Sequence, residues 1–227
     1  MDVRLAIVSD IHSNLPALDV VLEQIAREGV DQVLCAGDIV GYGPHPNQVI
    51  ERLKKIEIMA IQGNHDRAVL AHDSSNMNIQ AQDAVWWTIG ELKPEGLDYL
   101  SRLGAQLSFN WNGLKVAIFH GSPRNPDEYV PEEGADQELL ELAKCDLLVL
   151  GHTHVPFVKS LDRGTIVNPG SVGQPRDGDP RASLTIYDHR LRRFEVKRLA
   201  YDIDAVAEAM RESSLPSFLS MRLYSGI

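Results

Sequence analysis

Apolar positions fill Val3 to Ser9 as one short run, the pattern of a buried strand, and then recur at helical spacing from Asn14 to Glu28. Pro16 in the first turn and Gly29 at the end mark the limits of that helix. The same alternation continues with a strand over Gln32 to Ala36, a helix over Pro46 to Lys55 and a strand over Ile56 to Ile61. Apolar runs separated by amphipathic helices predict βαβ units and a parallel sheet covered on both faces. The next segment is helical. Ile79 to Leu92 carries Trp86 and Trp87, about 100° apart on a helix, so that at least one is expected in the core. Pro94 to Leu103 places Leu97, Leu100 and Leu103 on one face.

Beyond residue 105 the pattern changes. Leu107 to Trp111 and Leu114 to Phe119 flank Asn112-Gly113, the dipeptide of a tight hairpin turn. A helix over Ala135 to Lys144 leads into a strand over Asp146 to Leu150. Strands follow over Phe157 to Leu161, Thr165 to Val167, Ala182 to Tyr187 and Arg192 to Leu199. A helix from about Asp204 to Arg211 and an amphipathic tail over Leu215 to Leu223 end the pattern. With no internal repeat or low-complexity tract, the economical reading is one α/β domain over residues 1–227 with two sheets.

Composition narrows the function. Twenty-two Lys and Arg against 32 Asp and Glu give a net charge of −10, which repels nucleic-acid phosphates and anionic lipid. The basic residues Arg190, Arg192, Arg193, Lys197 and Arg198 alternate with Leu191, Phe194, Val196 and Leu199, as on a solvated strand face rather than a nucleic-acid patch. Acids flank the first apolar run, unlike the basic flank of a signal peptide, and no run approaches membrane-spanning length. Cys35 and Cys145 each sit in an apolar run that reads as a strand, which favours a reducing, cytoplasmic setting.

The chemistry gathers where strands end. Asp10 and His12 follow the first strand, Asp38 the second, and Asn64, His65 and Asp66 the third. His120 follows the hairpin, and His152 and His154 follow the strand before them. Ligands of open α/β sheets bind beyond the carboxyl ends of strands, so residues from position 10 to position 154 can meet in one crevice. Asp10 with His12, and His152 with His154, are two apart and leave the same face of an extended chain. A lone histidine at a strand end is ordinarily a satisfied polar residue; five with three carboxylates at successive strand ends predict a metal site. Carboxylate, imidazole and amide oxygen without thiolate suit Mn, Fe, Zn, Ni or Co. Asp10, His12, Asp38, Asn64, His120, His152 and His154 are too many for one ion with an open position, and two ions sharing a carboxylate use them economically.

The segments Asp10-Ile11-His12, Gly37-Asp38, Gly63-Asn64-His65-Asp66, His120-Gly121 and Gly151-His152-Thr153-His154 resemble, in order, the motifs of calcineurin-like metallophosphoesterases. The stretch Asn168 to Arg176 resembles a small bacterial and archaeal branch that includes phosphodiesterases and diadenosine tetraphosphatase-like enzymes. The resemblance implies a four-layer α/β/β/α sandwich of two mixed sheets flanked by helices, with a helical insertion around residues 65–103. By position it implies that Asp10, His12 and His154 hold one metal and Asn64, His120 and His152 the other, with Asp38 bridging and manganese favoured. His65 would face the leaving group, with Asp66 orienting or tuning it. Two divalent ions activate water and neutralise the phosphoryl oxygens, so no serine or cysteine nucleophile is required.

Further expectations concern the substrate. Gly37-Asp38-Ile39-Val40-Gly41-Tyr42-Gly43 lacks the arginine of the protein-phosphatase branch, which argues against that activity. Arg124, four residues after His120, is a candidate for a substrate phosphate, and Arg176 a second; Tyr42 is a candidate to stack a base. The expected function is hydrolysis of a phosphodiester or phosphoanhydride in a small phosphorylated substrate, a nucleotide among them, with no generic nucleic-acid or membrane partner. The rivals are a phosphomonoesterase of the same fold and a non-catalytic metal-binding scaffold.

Overall fold

The computed structural model describes residues 3–227; Met1 and Asp2, part of the acid-flanked amino-terminal run, lie outside the described residues. The first sheet contains β1 (Arg4–Val8), β2 (Gln32–Cys35), β3 (Ile58–Ala60), β9 (Ala182–Asp188) and β10 (Arg193–Leu199), in the order β10-β9-β1-β2-β3. β1, β2 and β3 run parallel, whereas β9 pairs antiparallel with β1 and β10. The second sheet contains β4 (Gln106–Trp111), β5 (Leu114–Phe119), β6 (Leu147–Val149), β7 (Phe157–Leu161) and β8 (Gly164–Asn168), in the order β4-β5-β6-β8-β7. β5, β6 and β8 are parallel and the two outer pairs antiparallel, so both sheets are mixed.

Every residue of β1 from Leu5 to Val8 is buried, because the strand has two covered faces. Leu5 and Ile7 point at the second sheet, where they meet Ile118, Leu147, Val149 and Val167. Ala6 and Val8 point the other way, under α1 (Leu15–Glu28) and α2 (Pro46–Leu53), where they join Leu18, Val21, Ile50 and Leu53. That period-2 split is what a continuous apolar run accomplishes in a sandwich. α6 (Gln137–Ala143) covers the outer face of the second sheet with Leu139 and Leu140 against Leu148 and Ile166. Helix, sheet, sheet and helix are thus the expected four layers.

Between β3 and β4 stand α3 (Asn64–Ala71), α4 (Ile79–Glu91) and α5 (Pro94–Ser101), the expected helical insertion. α7 (Ile203–Glu212) and α8 (Ser217–Ser225) complete the chain and pack Val206, Met210, Leu219 and Leu223 around Tyr42 and Ala84. Helix limits obey their capping chemistry. The Asn14 side chain accepts from the Ala17 N–H at 3.1 Å, and Gly29 closes α1 in the left-handed region.

One local expectation is corrected, that for Cys145, and that for the tryptophan pair is met. Cys145 is buried but lies in the turn between α6 and β6, while Cys35 is in β2; both thiols are free. Trp86 is 53% exposed, and Trp87 is the member of the pair that packs against the α7–α8 cluster. The basic residues near β10 meet acids as a solvated face should: Lys197 pairs with Glu28 and Glu195, and Arg198 with Asp177. Among the described residues no helix is long and apolar enough to cross a membrane.

Candidate metal centre

The parallel strands end at one edge of the sandwich, and their loops are tied together by backbone hydrogen bonds that prolong the ladders. Asp10 N–H donates to the Gly37 carbonyl at 2.9 Å, His12 N–H to Asp38 at 3.0 Å and Gly151 N–H to His120 at 2.9 Å. The turns are sharp. Asp10, His12, Asp38, His152 and His154 all have φ between 48° and 68°, a region that side-chain-bearing residues seldom occupy. Five of the seven expected ligands therefore hold strained backbone, which persists where function requires it. Two glycines make room: a Cβ on Gly63 would meet the Asp38 carboxylate, and Gly41, at φ +91°, lies against the His65 ring.

The side chains converge in two groups. Asp10, His12, Asp38 and His154 bring ligand atoms within 4.8 Å of one another, as do Asp38, His120 and His152, and all are buried. Asp38 belongs to both. The Asn64 Oδ1 lies 2.9 Å from His120 Nε2, which brings all seven expected residues to one place. His120 Nε2 and His12 Nε2 stand 3.4 and 3.6 Å from Asp38 Oδ2, and His154 Nε2 is 3.2 Å from Asp10 Oδ1. Spacings of this kind are those of neighbouring ligands around one ion, since bonds of ~2.1 Å at right angles separate donors by ~3 Å.

Three imidazoles are aimed from behind. His12 Nδ1 is 3.2 Å from the Val40 carbonyl, His120 Nδ1 2.8 Å from Ala36, and His154 Nδ1 2.5 Å from Gln174. A carbonyl only accepts, so each Nδ1 carries the proton and each Nε2 is turned to the centre, the arrangement of metal-ligating histidines. His12 Nε2 and His154 Nε2 then face each other at 3.2 Å with lone pairs opposed, and Asp10 Oδ1 is buried without a hydrogen-bond donor. A cation between them resolves both deficits. The residues fit divalent metal.

Protonation follows burial and charge. Burial works against the Asp10 and Asp38 carboxylates, but the surrounding histidines, His154 for Asp10 and His120 for Asp38, hold both well below the ordinary range. Burial foremost takes His65 and His152 down to about 4. For His120 burial acts in the same direction, yet Asp38 overcomes it and raises the ring to about 9. Ionised carboxylates and largely neutral imidazoles are the forms that bind metal.

The other expected site residues are placed as follows. His65 is buried beside the centre, its ring 4.4 Å from Tyr42 and 4.9 Å from His12. Its Nδ1 is buried against Gly41 without a partner, and the residue lines the cleft. Asp66, in the first turn of α3, does not orient His65 by a direct bond. Its carboxylate accepts the N–H groups of Ile39, Val40 and Gly63 at 2.9–3.2 Å and so fixes the loop that follows Asp38. Burial first and Asp38 next push the Asp66 carboxyl up to about 7, against those three donors. Tyr42 is only 4% exposed, its ring lies against the imidazoles of His12 and His65, and it forms part of the cleft wall. Arg124 points away from the cleft and pairs with Glu128 and Glu138.

A cleft of about 420 Å³ opens from Asp38, His65, His152 and His154 toward Asp73–Asn78. Tyr129 and Arg67 line it without having been expected from the sequence. Tyr129 stacks on His152 at 4.0 Å, and Arg67 is neutralised by Asp127. An aromatic residue directly after the polar run Asn125 to Glu128 was the available signal for Tyr129.

Comparison with known proteins agrees with this geometry. The chain is 37% identical to the uncharacterized protein MJ0912 of Methanocaldococcus jannaschii over 98% of each chain. It is 29% identical to the phosphodiesterase YfcE of Escherichia coli over 82% of this chain and 88% of that one. The crystal structure of a metallophosphoesterase from Sphaerobacter thermophilus superposes with a TM-score of 0.87 over 100% of both chains at 35% identity. Residues 3–190 match the calcineurin-like phosphoesterase superfamily domain, and the chain belongs to that superfamily.

Proposed function

We propose that the protein is a dinuclear, metal-dependent hydrolase of phosphodiester or phosphoanhydride bonds. The observation that carries this reading is the pair of buried ligand groups sharing Asp38, with the Nε2 atoms of His12 and His154 opposed at 3.2 Å. Asp10, His12 and His154 would hold one ion, Asn64, His120 and His152 the other, and Asp38 both. The oxygen and nitrogen donor set suits Mn, Fe, Zn, Ni or Co, and manganese is our choice among them on the family resemblance. Such ions supply Lewis acidity, acidifying water and taking up charge on phosphoryl oxygens.

The chain's own residues do the rest. His65, held neutral by burial at about 4, would donate a hydrogen bond from Nε2 to the leaving oxygen, and would supply a proton there once the negative charge of a bound phosphate raises the ring. Asp66 ties down the Asp38 loop, and Tyr42 packs against both His12 and His65, whose rings also touch each other. Two buried free thiols support a reducing compartment, and we place the protein in the cytoplasm on that ground.

Substrate charge separates diester from monoester. A monoester dianion is best met by guanidinium clamps added to the metals. No arginine lies in Gly41 to Pro44, Arg124 is turned to Glu128 and Glu138, and Arg67 pairs with Asp127, so that among the described residues Arg176 is the single cleft guanidinium without a carboxylate partner, one where a dianion calls for several. With Mn²⁺, kcat/KM for bis(p-nitrophenyl) phosphate is therefore expected to exceed that for p-nitrophenyl phosphate. A preference for the monoester of tenfold or more would overturn the diesterase reading.

A further inference from the structure

Arg176 stands apart from the other cations of the cleft. Among the described residues it has no carboxylate partner, whereas Arg67 pairs with Asp127 and Arg124, outside the cleft, with Glu128 and Glu138. Its Nη1 donates to the Tyr129 hydroxyl at 3.3 Å and its Nη2 to the Tyr42 hydroxyl at 3.5 Å, both neutral acceptors at long range. The Nε is buried and donates to nothing. A guanidinium drawn out of water without an anion is an unsatisfied charge. Its position is fixed from behind, because the Arg176 N–H donates to the carbonyl of His154 at 3.3 Å. Arg222 of α8 adds a second cation near Tyr42, and its charge is disfavoured by burial first and then by Arg176.

We propose that Arg176 binds a second phosphate, adjacent to the one held at the aspartate–histidine cluster, which makes the substrate class a phosphoanhydride rather than a simple diester. This deepens the phosphoesterase reading and rests on it. The guanidinium can turn its two Nη groups from the long contacts with the tyrosine hydroxyls to two phosphate oxygens, a paired geometry that no single ammonium reproduces. Two successive phosphates explain why a cation is needed where the metal-ligand groups end, and the cleft of about 420 Å³ has room for them. In the reaction, the oxygen of water bonds to one phosphorus and the bridging P–O bond breaks. The second phosphate departs with the bridging oxygen and its electron pair, and the protons of water pass to the product phosphates and solvent. Arg176 meets the charge that collects on the departing group.

The test uses imidodiphosphate, whose P–N–P link resists hydrolysis, and inorganic phosphate as inhibitors of bis(p-nitrophenyl) phosphate hydrolysis at constant free Mn²⁺. Calorimetric binding of the same two anions is measured alongside. The native protein is expected to bind imidodiphosphate at least about tenfold more tightly than phosphate, the difference that one added charged contact supplies. Arg176→Met should weaken imidodiphosphate by about 10- to 100-fold and phosphate by less than about threefold. Arg176→Lys, which keeps the charge and loses the fork, should fall between them and guards against a folding defect in the Met variant. Equal losses for both anions, or no loss for imidodiphosphate, would overturn the proposal. Failure of the native protein to cleave any phosphate ester with metal would instead sink the hydrolase reading, while the calorimetric comparison still decides the role of Arg176.

Discussion

Asp38→Asn is expected to strip the centre of bound metal and to lower turnover by about 10³-fold or more, equivalent to several kcal/mol of lost charge stabilisation. The substitution removes one negative charge where both ligand groups meet. It leaves the fold's own use of this side chain in place, because an asparagine carbonyl can still accept the His65 N–H that Asp38 Oδ1 now accepts at 2.8 Å. Secondary structure by circular dichroism should therefore be retained while elemental analysis shows metal lost. Two ions per chain with normal turnover in this variant would remove the shared-carboxylate account.

His65→Ala separates chemistry from metal binding. His65 belongs to neither ligand group, yet it is buried beside both and lines the cleft. Both ions should be retained, and turnover should fall by ~10²–10⁴-fold, the range of acid–base assistance. The loss should shrink when the leaving group needs no proton, as with p-nitrophenolate, and grow with an alkoxide. Because the ring also packs on Tyr42 and His12, His65→Asn is the companion variant that keeps a polar side chain in the space. A variant that loses an ion would make His65 a ligand instead.

The fold was legible wherever one local rule governed the chain. Apolar runs and helical spacing mark β1, α1, β2, α2 and β3 to within three residues at each end, and Asn112-Gly113 marks the hairpin of β4 and β5. α3 was the hidden element. It starts at Asn64 inside the site motif with Gly63 as its cap, so no side-chain capping residue announces it. The convergence of the seven candidate residues was legible because short side chains at strand ends can go only a short way. Long side chains were not. Arg124 and Arg176 both had plausible motif positions, and their partners, Glu128 for one and the Tyr42 and Tyr129 hydroxyls for the other, are set by tertiary packing. The burial of Tyr42 was hidden for the same reason: flanking glycines suggest an open loop, but α7 and α8, more than 160 positions away, pack against it. Nor does spacing reveal that Asp66 turns to three backbone N–H groups rather than to His65.

The central claim is that two ions share Asp38. The most direct measurement is the anomalous scattering of crystals equilibrated with Mn²⁺, supported by elemental analysis of the same protein. Two peaks, one beside Asp10, His12 and His154 and the other beside Asn64, His120 and His152, with Asp38 between them, are the predicted result. A single peak, or two peaks of which neither touches Asp38, would contradict it.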